Sequence, residues 1–374
     1  MTANQNTPAV LIAALSGRAL AACARRAGYR PLVADLFGDL DTQELAEASE
    51  RVPGSLTRGF EQRALLASLG RLAAGRPVIG VVTGSGFEDR PRLLHAVAAS
   101  HLLMGNPPNI VTAIKDPFAF AETCARAGVP HPDIRRDRPA GGVWLGKRAG
   151  GSGGVHVTAS TRRVTAQHGR YYQRHVPGEP VSAAFLAAGG ACRVLGLSRQ
   201  WPDPTPRHPF RYGGASRPAP VTQARAAEIG AAVARLVSHT GLRGLNSVDF
   251  LVREDGFHVL EINPRPGATL DIFAGQQGGL FRWHLDACRG VLPDVAPTWP
   301  GAAAAATVYA QAEIRLPPDF VWPAWAADRQ PPGQPVPSGA PLCTVLAEAA
   351  DADTAERLTR DRAAEILARA KGAP

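Results

Sequence analysis

The chain contains Val248-Asp249-Phe250 and, after ten intervening residues, Glu261-Ile262-Asn263-Pro264-Arg265. Between them Glu254-Asp255-Gly256 joins two β-type runs, Leu245 to Val252 and Phe257 to Ile262, and predicts a hairpin. Alternate strand residues share a face, so Glu261 and Asn263 point the same way, and Asp249 on the paired strand can join them. Two carboxylates and an amide oxygen are hard donors. Held on rigid neighbouring strands, they suit Mg²⁺ bridging the phosphates of ATP, with Mn²⁺ as the alternative ion, far better than a soft metal. Arg265, just beyond, would face a transferred phosphoryl group or a substrate carboxylate. Taken singly, each of these residues reads as a solvated group on a polar hairpin; the complete string points to a site.

A second stretch, Trp144 to Val155, is a strand bearing Lys147 that runs into Gly150, Gly151, Ser152, Gly153 and Gly154. Glycine frees backbone N–H groups to close over phosphates, and a strand-borne lysine can neutralise their charge. The spacing is not that of a Walker A loop. A third stretch, Tyr171 to Ser182, could offer extended backbone to an adenine edge and Glu179 to ribose hydroxyls, although alone it reads as a strand with a Pro-Gly turn.

These residues need elements to position them. Strand Ala9 to Ala14, turn Leu15 to Gly17, helix Arg18 to Ala27 and strand Arg30 to Ala34 form a βαβ start and hence a parallel sheet. Val78 to Val82 adds a strand that opens into Thr83 to Glu88 at the edge where ligands bind such sheets. Asp116 caps a helix begun by Pro117 and stopped by Gly128 and Pro130. From Gly142 to Trp201 short strands (Val143 to Lys147, Val155 to Thr158, Tyr171 to Arg174, Val181 to Ala188, Arg193 to Ser198) predict a mostly antiparallel region. Pro202 to Pro220, rich in proline and arginine, reads as a loop, either merely exposed or mobile and receiving substrate. A helix over Thr222 to Thr240 precedes the hairpin, and the tail carries a Pro-rich linker, a strand over Leu342 to Leu346 and a helix from Asp353 to about Ala370.

At 374 residues the chain is expected to form two or three domains around a cleft. An apolar share of 45% without an apolar run near the roughly 20 residues of a spanning helix argues against a membrane segment. The polar start followed by Ala9 to Leu15 reads as a first strand rather than a signal peptide. Five dispersed cysteines without a C-x-x-C pair suit reduced thiols in a cytoplasm. The net charge of +9 comes from scattered arginines with few interleaved aromatics, which fits an anionic small substrate better than nucleic acid.

The three stretches, in this order and spacing, resemble the ATP-grasp superfamily of carboxylate-amine ligases over roughly Ala113 to Phe273, and Ala9 to Pro107 resembles the domain that precedes it. The resemblance implies an α/β and α+β protein with an ATP-grasp fold: a Rossmann-like pre-ATP-grasp parallel-sheet domain at 1–112, the ATP-grasp domain at 113–296 with a lid at about 140–180, and a C-terminal segment at 297–374 packed on it. It implies Lys147 and Gly150 to Gly154 on the phosphates, and Gln173, Arg174, His175, Val176 and Glu179 around adenosine. It also implies Asp249, Glu261 and Asn263 on the metal, with Arg265 and Lys147 acting in catalysis. Lys115 resembles an earlier phosphate-contacting base, with its Lys-Asp order reversed relative to the family's usual Asp-Lys, and Gln173 stands where many members have Glu.

The implied reaction activates a small carboxylate as an acyl phosphate and joins it to an amine, in a cytoplasmic protein expected to be a homodimer. The opening Ala14 to Ala21 and Ala34 to Asp39 resemble ATP-grasp proteins of one-carbon furan and pterin cofactor synthesis, which suggests glutamate joined to tyramine or tyrosine. Alternatives are a ligase for another amino acid or nucleotide precursor, or a nucleotide-binding regulator without turnover. Intact Asp249, Glu261, Asn263 and Arg265 weigh against the regulator.

Overall fold

The computed structural model describes residues 7–159, 169–273, 279–295 and 297–371. The start of the chain and part of the expected lid, 160–168, lie outside the described residues. A parallel four-stranded sheet opens the fold in the order Ala48–Arg51, Arg30–Asp35, Ala9–Ala14, Val78–Thr83. Ala9–Ala14 is buried at every position, as a parallel strand covered on both faces must be. Helix Arg18–Arg26 follows it, and Gly17 at its cap donates its N–H to Asp35 Oδ2 at 3.0 Å. A Cβ at Gly17 would lie 2.4 Å from Val33, so this tight strand-to-helix turn requires glycine.

A small antiparallel sheet, Ile134–Arg135, Arg170–Arg174, Trp144–Arg148 and Thr158–Ala159 in that order, carries Lys147 and Gln173. The expected strand over Val155 to Thr158 shrinks to Thr158–Ala159, because Ser152 to Val157 is spent on the turn that brings the glycine-rich segment back.

The main body is an eight-stranded antiparallel sheet. Its order is Gly256–Asn263, Gly244–Arg253, Glu179–Ala188, Ala191–Pro202, Tyr212–Arg217, Ala302–Tyr309, Pro341–Ala349, Ala326–Ala327. Helix Gln223–Ser238 buries Ile229, Val233, Leu236 and Val237 in one apolar cluster with Val248, Phe250, Val259 and Ile262 from the back of the hairpin. Each such side chain contributes roughly 1.5–3 kcal/mol when fully buried. Because those residues alternate with Asp249, Glu261 and Asn263, packing the apolar set turns the polar set to the other face.

One finding on the Pro- and Arg-rich stretch corrects the sequence reading. Pro202 to Pro220 is not simply a loop: Tyr212–Arg217 is an interior strand of the large sheet, with Gly214 so close to the Trp201 indole that a Cβ would lie 2.4 Å from it. The region from Gly142 to Trp201 is split between two sheets. No helix among the described residues is long and apolar enough to cross a membrane.

Candidate active site

The hairpin register places Asp249 directly opposite Glu261, and Asn263 opposite Ser247. Asn263 Nδ2 donates to Asp249 Oδ2 at 3.0 Å, and Gln200 Nε2 approaches Asp249 Oδ1 at 3.4 Å. Lys115 reaches the group from the end of helix Pro108–Lys115. Its ammonium, buried, donates to Glu261 Oε2 at 2.8 Å, to the Ile262 carbonyl at 3.2 Å and to Asn263 Oδ1 at 3.4 Å. Burial pushes Asp249 upward, and the Glu261 charge adds to this. Glu261 is held below its usual range although burial acts the other way, because Lys115, His156 and Lys147 outweigh it.

Among the described residues no three His, Cys, Asp or Glu side chains converge on one point. Two carboxylates and an amide oxygen therefore do not form a complete protein cage. They fit an ion that takes its remaining ligands from a triphosphate and water, as Mg²⁺ does. The Lys115 ammonium, lying between Glu261 and Asn263 Oδ1, shows that these oxygens already converge on positive charge.

The carboxylates open into a cavity of about 660 Å³, a volume in the usual range of small-molecule sites. Lys147, Ser152, Gly153, Gly154, Gln173, Arg174, His175, Val176, Asp249, Glu261, Asn263 and Arg265 all line it. Burial and the neighbouring Lys115 lower Lys147, which Glu261 and Asp249 partly offset. Gly154 has φ +72°, and a Cβ there would fall 1.7 Å from the Phe210 carbonyl oxygen. The loop is locked to the large sheet by the Tyr212 N–H, which donates to the Gly153 carbonyl at 3.0 Å.

Four expected residues stand apart. Gly150 packs on Glu88 and Asp89, and Gly151 under the His156 ring, so neither lines the cavity. Glu179 is exposed and outside the lining, and Lys115 touches the carboxylates from behind without lining it.

Glu88 ends the Thr83 to Glu88 stretch expected at the ligand edge of the parallel sheet, whereas other lining or supporting residues escaped sequence reasoning. Glu88 forms a buried ion pair with Arg265 Nε, while its Oε2 accepts the N–H groups of Gly86 (2.9 Å) and Phe87 (3.1 Å). Burial alone would raise Glu88; the charges of Arg265 and Lys115 bring it below its ordinary value. Buried Gln173 places Nε2 3.4 Å from His131 Nε2, and His131, lowered to about 4 by burial and by Lys147, is a neutral acceptor. His156 beside the glycines is likewise lowered to about 4 by burial. Thr307, Tyr309, Asp328 and Thr344 of the C-terminal segment also line the cavity, so that segment closes one side of it. Apart from Glu88, only a fold could have revealed these, since none has a local spacing signal.

The family model described as "ATP-grasp domain" matches residues 114–269. This stretch is an ATP-grasp domain. The match begins beside Lys115, contains the glycine-rich loop and the hairpin, and ends within the lining at Thr269. Beyond the ATP-grasp domain itself, the whole fold has solved counterparts. The L-amino acid ligase from Bacillus licheniformis is 15% identical, with 95% of this chain and 96% of that one covered at a TM-score of 0.70. An N5-carboxyaminoimidazole ribonucleotide synthetase in complex with ADP is 16% identical, covering 98% and 100% at 0.70. The biotin carboxylase domain of Hydrogenobacter thermophilus 2-oxoglutarate carboxylase, a dimer with MgADP and bicarbonate, is 12% identical, covering 94% and 88% at 0.71. At these identities the likeness concerns the fold. No curated protein sequence matches the chain.

Proposed function

We propose that the protein is an ATP-dependent carboxylate-amine ligase. The observation that carries this reading is the convergence of Asp249, Glu261, Asn263, Lys147, the Ser152 to Gly154 turn and Arg265 on one cavity with room beyond the phosphate corner. Asp249, Glu261 and Asn263 would hold Mg²⁺, which when bound supplies charge neutralisation for the β- and γ-phosphates of ATP. Lys147 and the N–H groups of the glycine-rich turn face the same phosphates. Gln173 to Val176 would receive the adenosine; the Gln173 amide nitrogen is engaged by His131, which leaves its oxygen for the adenine amino group.

The substrate carboxylate attacks the γ-phosphorus as the bond to ADP breaks, giving an acyl phosphate. The amine nitrogen then attacks the acyl carbon, loses a proton and expels phosphate. This chemistry depends on positioning and charge more than on a protein nucleophile. Arg265, with Nε fixed by Glu88 and Nη1 near the Pro266 carbonyl at 3.2 Å, can present Nη2 to the carboxylate or the moving phosphoryl group. In its finer form the reading is glutamate joined to tyramine or tyrosine, in a cytoplasmic homodimer. The relatives of known structure, one an amino acid ligase, support the general reaction.

Phosphate release from Mg-ATP, measured with paired acids and amines that include glutamate, tyramine and tyrosine, tests the proposal. A product whose mass is the sum of one pair less water supports it. ATP binding without pair-dependent release across a broad panel would favour a nucleotide-binding protein without turnover.

A further inference from the structure

The cavity has a second charged corner that the phosphate chemistry does not use. Arg18, at the start of the first helix, points to Asp271 and Asp328, and all three line the cavity. Its Nη1 and Nη2 pair with the two oxygens of Asp271, the latter at 2.7 Å. Its Nε and Nη2 also donate to Asp328 at 3.1 and 2.9 Å, and Ser16 Oγ donates to Asp328 at 3.0 Å. The side chains are 7%, 11% and 22% exposed in the order Arg18, Asp271, Asp328, so the carboxylates and not the guanidinium face the space.

Two features decide what this corner can receive. Two carboxylates around one guanidinium leave a net negative charge, so Arg18 is neutralised and unsuited to capture an anion. Four of its five N–H donors are engaged, whereas each Asp271 oxygen accepts only one bond and keeps a free lone pair. The corner therefore has acceptors to offer and almost no donors. Tyr212 lines the same cavity as both acidic corners. A single small molecule can span them.

Resting on the ligase reading, we infer that one of the two substrates carries an ammonium group that docks on the free lone pairs of Asp271, beside the charge of Asp328, with its reacting end turned toward Arg265. The same chemistry could belong to a zwitterionic acyl donor or to a diamine acceptor. In a zwitterion, the ion pairs would hold the donor's own amine away from the activated carboxyl.

Calorimetric titration in the presence of Mg²⁺ and a non-hydrolysable ATP analogue tests this with matched probes: glutamate against glutarate, 6-aminohexanoate against 6-hydroxyhexanoate, and 1,5-diaminopentane against 1,5-pentanediol. The ammonium member of at least one pair should bind about ten- to a hundredfold more tightly, the range that a charge-assisted hydrogen bond supplies. That preference should collapse in Asp328→Asn, where asparagine tolerates the left-handed φ of +55°. Asp271→Asn provides the second variant should the first melt early. Preference for glutamate or 6-aminohexanoate marks the acyl donor, and preference for the diamine marks the acceptor; either supports the inference. Equal binding within every pair, unchanged preference in both variants, or no bound ammonium probe overturns it. Phosphate release measured in parallel separates the two readings: ammonium binding without turnover removes the ligase and keeps the subsite, while turnover driven only by the uncharged-end probes keeps the ligase and removes the subsite.

Discussion

Arg265 and Glu88, 177 residues apart in sequence, form a buried ion pair that ties the loop leaving the parallel sheet to the end of the metal-type hairpin. Glu88 is itself fixed by two backbone N–H groups, so the guanidinium is held by a rigid partner. In Glu88→Gln one charge is lost while the shape is kept. The expected outcome is a roughly tenfold fall in kcat with little change in the KM for ATP, and a stability loss of about 1–3 kcal/mol. Steady-state phosphate release and thermal melting check both; an unchanged kcat would show that Arg265 needs no such support.

Glu261→Gln removes one of the two opposed carboxylates and the partner of Lys115. ATP turnover should fall by about a hundredfold or more, since a bridging charge is missing where phosphoryl charge develops. The fold should persist, because the Lys115 ammonium still donates to the Ile262 carbonyl. Circular dichroism together with turnover reads this, and near-normal activity would remove the metal assignment.

Gly154 and Gly153 make a matched pair of tests. Both have positive φ, but a Cβ at Gly154 meets the Phe210 carbonyl oxygen at 1.7 Å whereas one at Gly153 meets nothing within 4 Å. Gly154→Ala should cost a further 1–3 kcal/mol or so in local strain over Gly153→Ala and should weaken nucleotide binding more. Fluorescent-nucleotide titration of the two variants decides it.

Asp39 is fully buried and caps helix Leu40–Leu45 through Thr42. Burial, reinforced by the Asp328 charge, raises it to about 7. The folded state therefore binds this proton more tightly than the unfolded state. Its contribution favours folding at acid pH and is lost as pH rises from the ordinary carboxylate value toward 7, a change on the order of a few kcal/mol. Asp39→Asn, an equally good cap, should flatten that slope and raise the melting temperature at pH 8. Melts of both proteins from pH 5 to 8 test the sign.

The parts of the site legible in the sequence were those in which spacing along one strand or across one turn fixes geometry: Asp249, Glu261 and Asn263 share a face because strands alternate and their turn is short. Lys147, Gly153 and Gly154 were legible for the same local reason, whereas Gly150 and Gly151 were expected at the cavity and lie outside its lining. Asp271 and Asp328 reach the cavity, and His131 supports it through Gln173, by tertiary packing, which leaves no periodic trace. Local preference also misleads. Ala302–Tyr309, five alanines followed by Thr-Val-Tyr, has the composition of a helix, yet it is a buried interior strand. There the pairing with Tyr212–Arg217 on one side and Pro341–Ala349 on the other overrode propensity. Tyr212–Arg217 was hidden by the prolines and arginines around it in the same way.

The eight-stranded sheet runs without a break from the hairpin that bears Asp249 and Glu261 to strands drawn from the last fifth of the chain. One consequence concerns how such a protein could change its diet. Thr307, Tyr309, Asp328 and Thr344 shape the far wall, yet none belongs to residues 114–269. Exchanging side chains along Ala302–Tyr309 and Pro341–Ala349 would redraw the chamber beyond the phosphates and leave the nucleotide apparatus untouched. The far wall and the hairpin come from different stretches of sequence, stitched together by backbone hydrogen bonds.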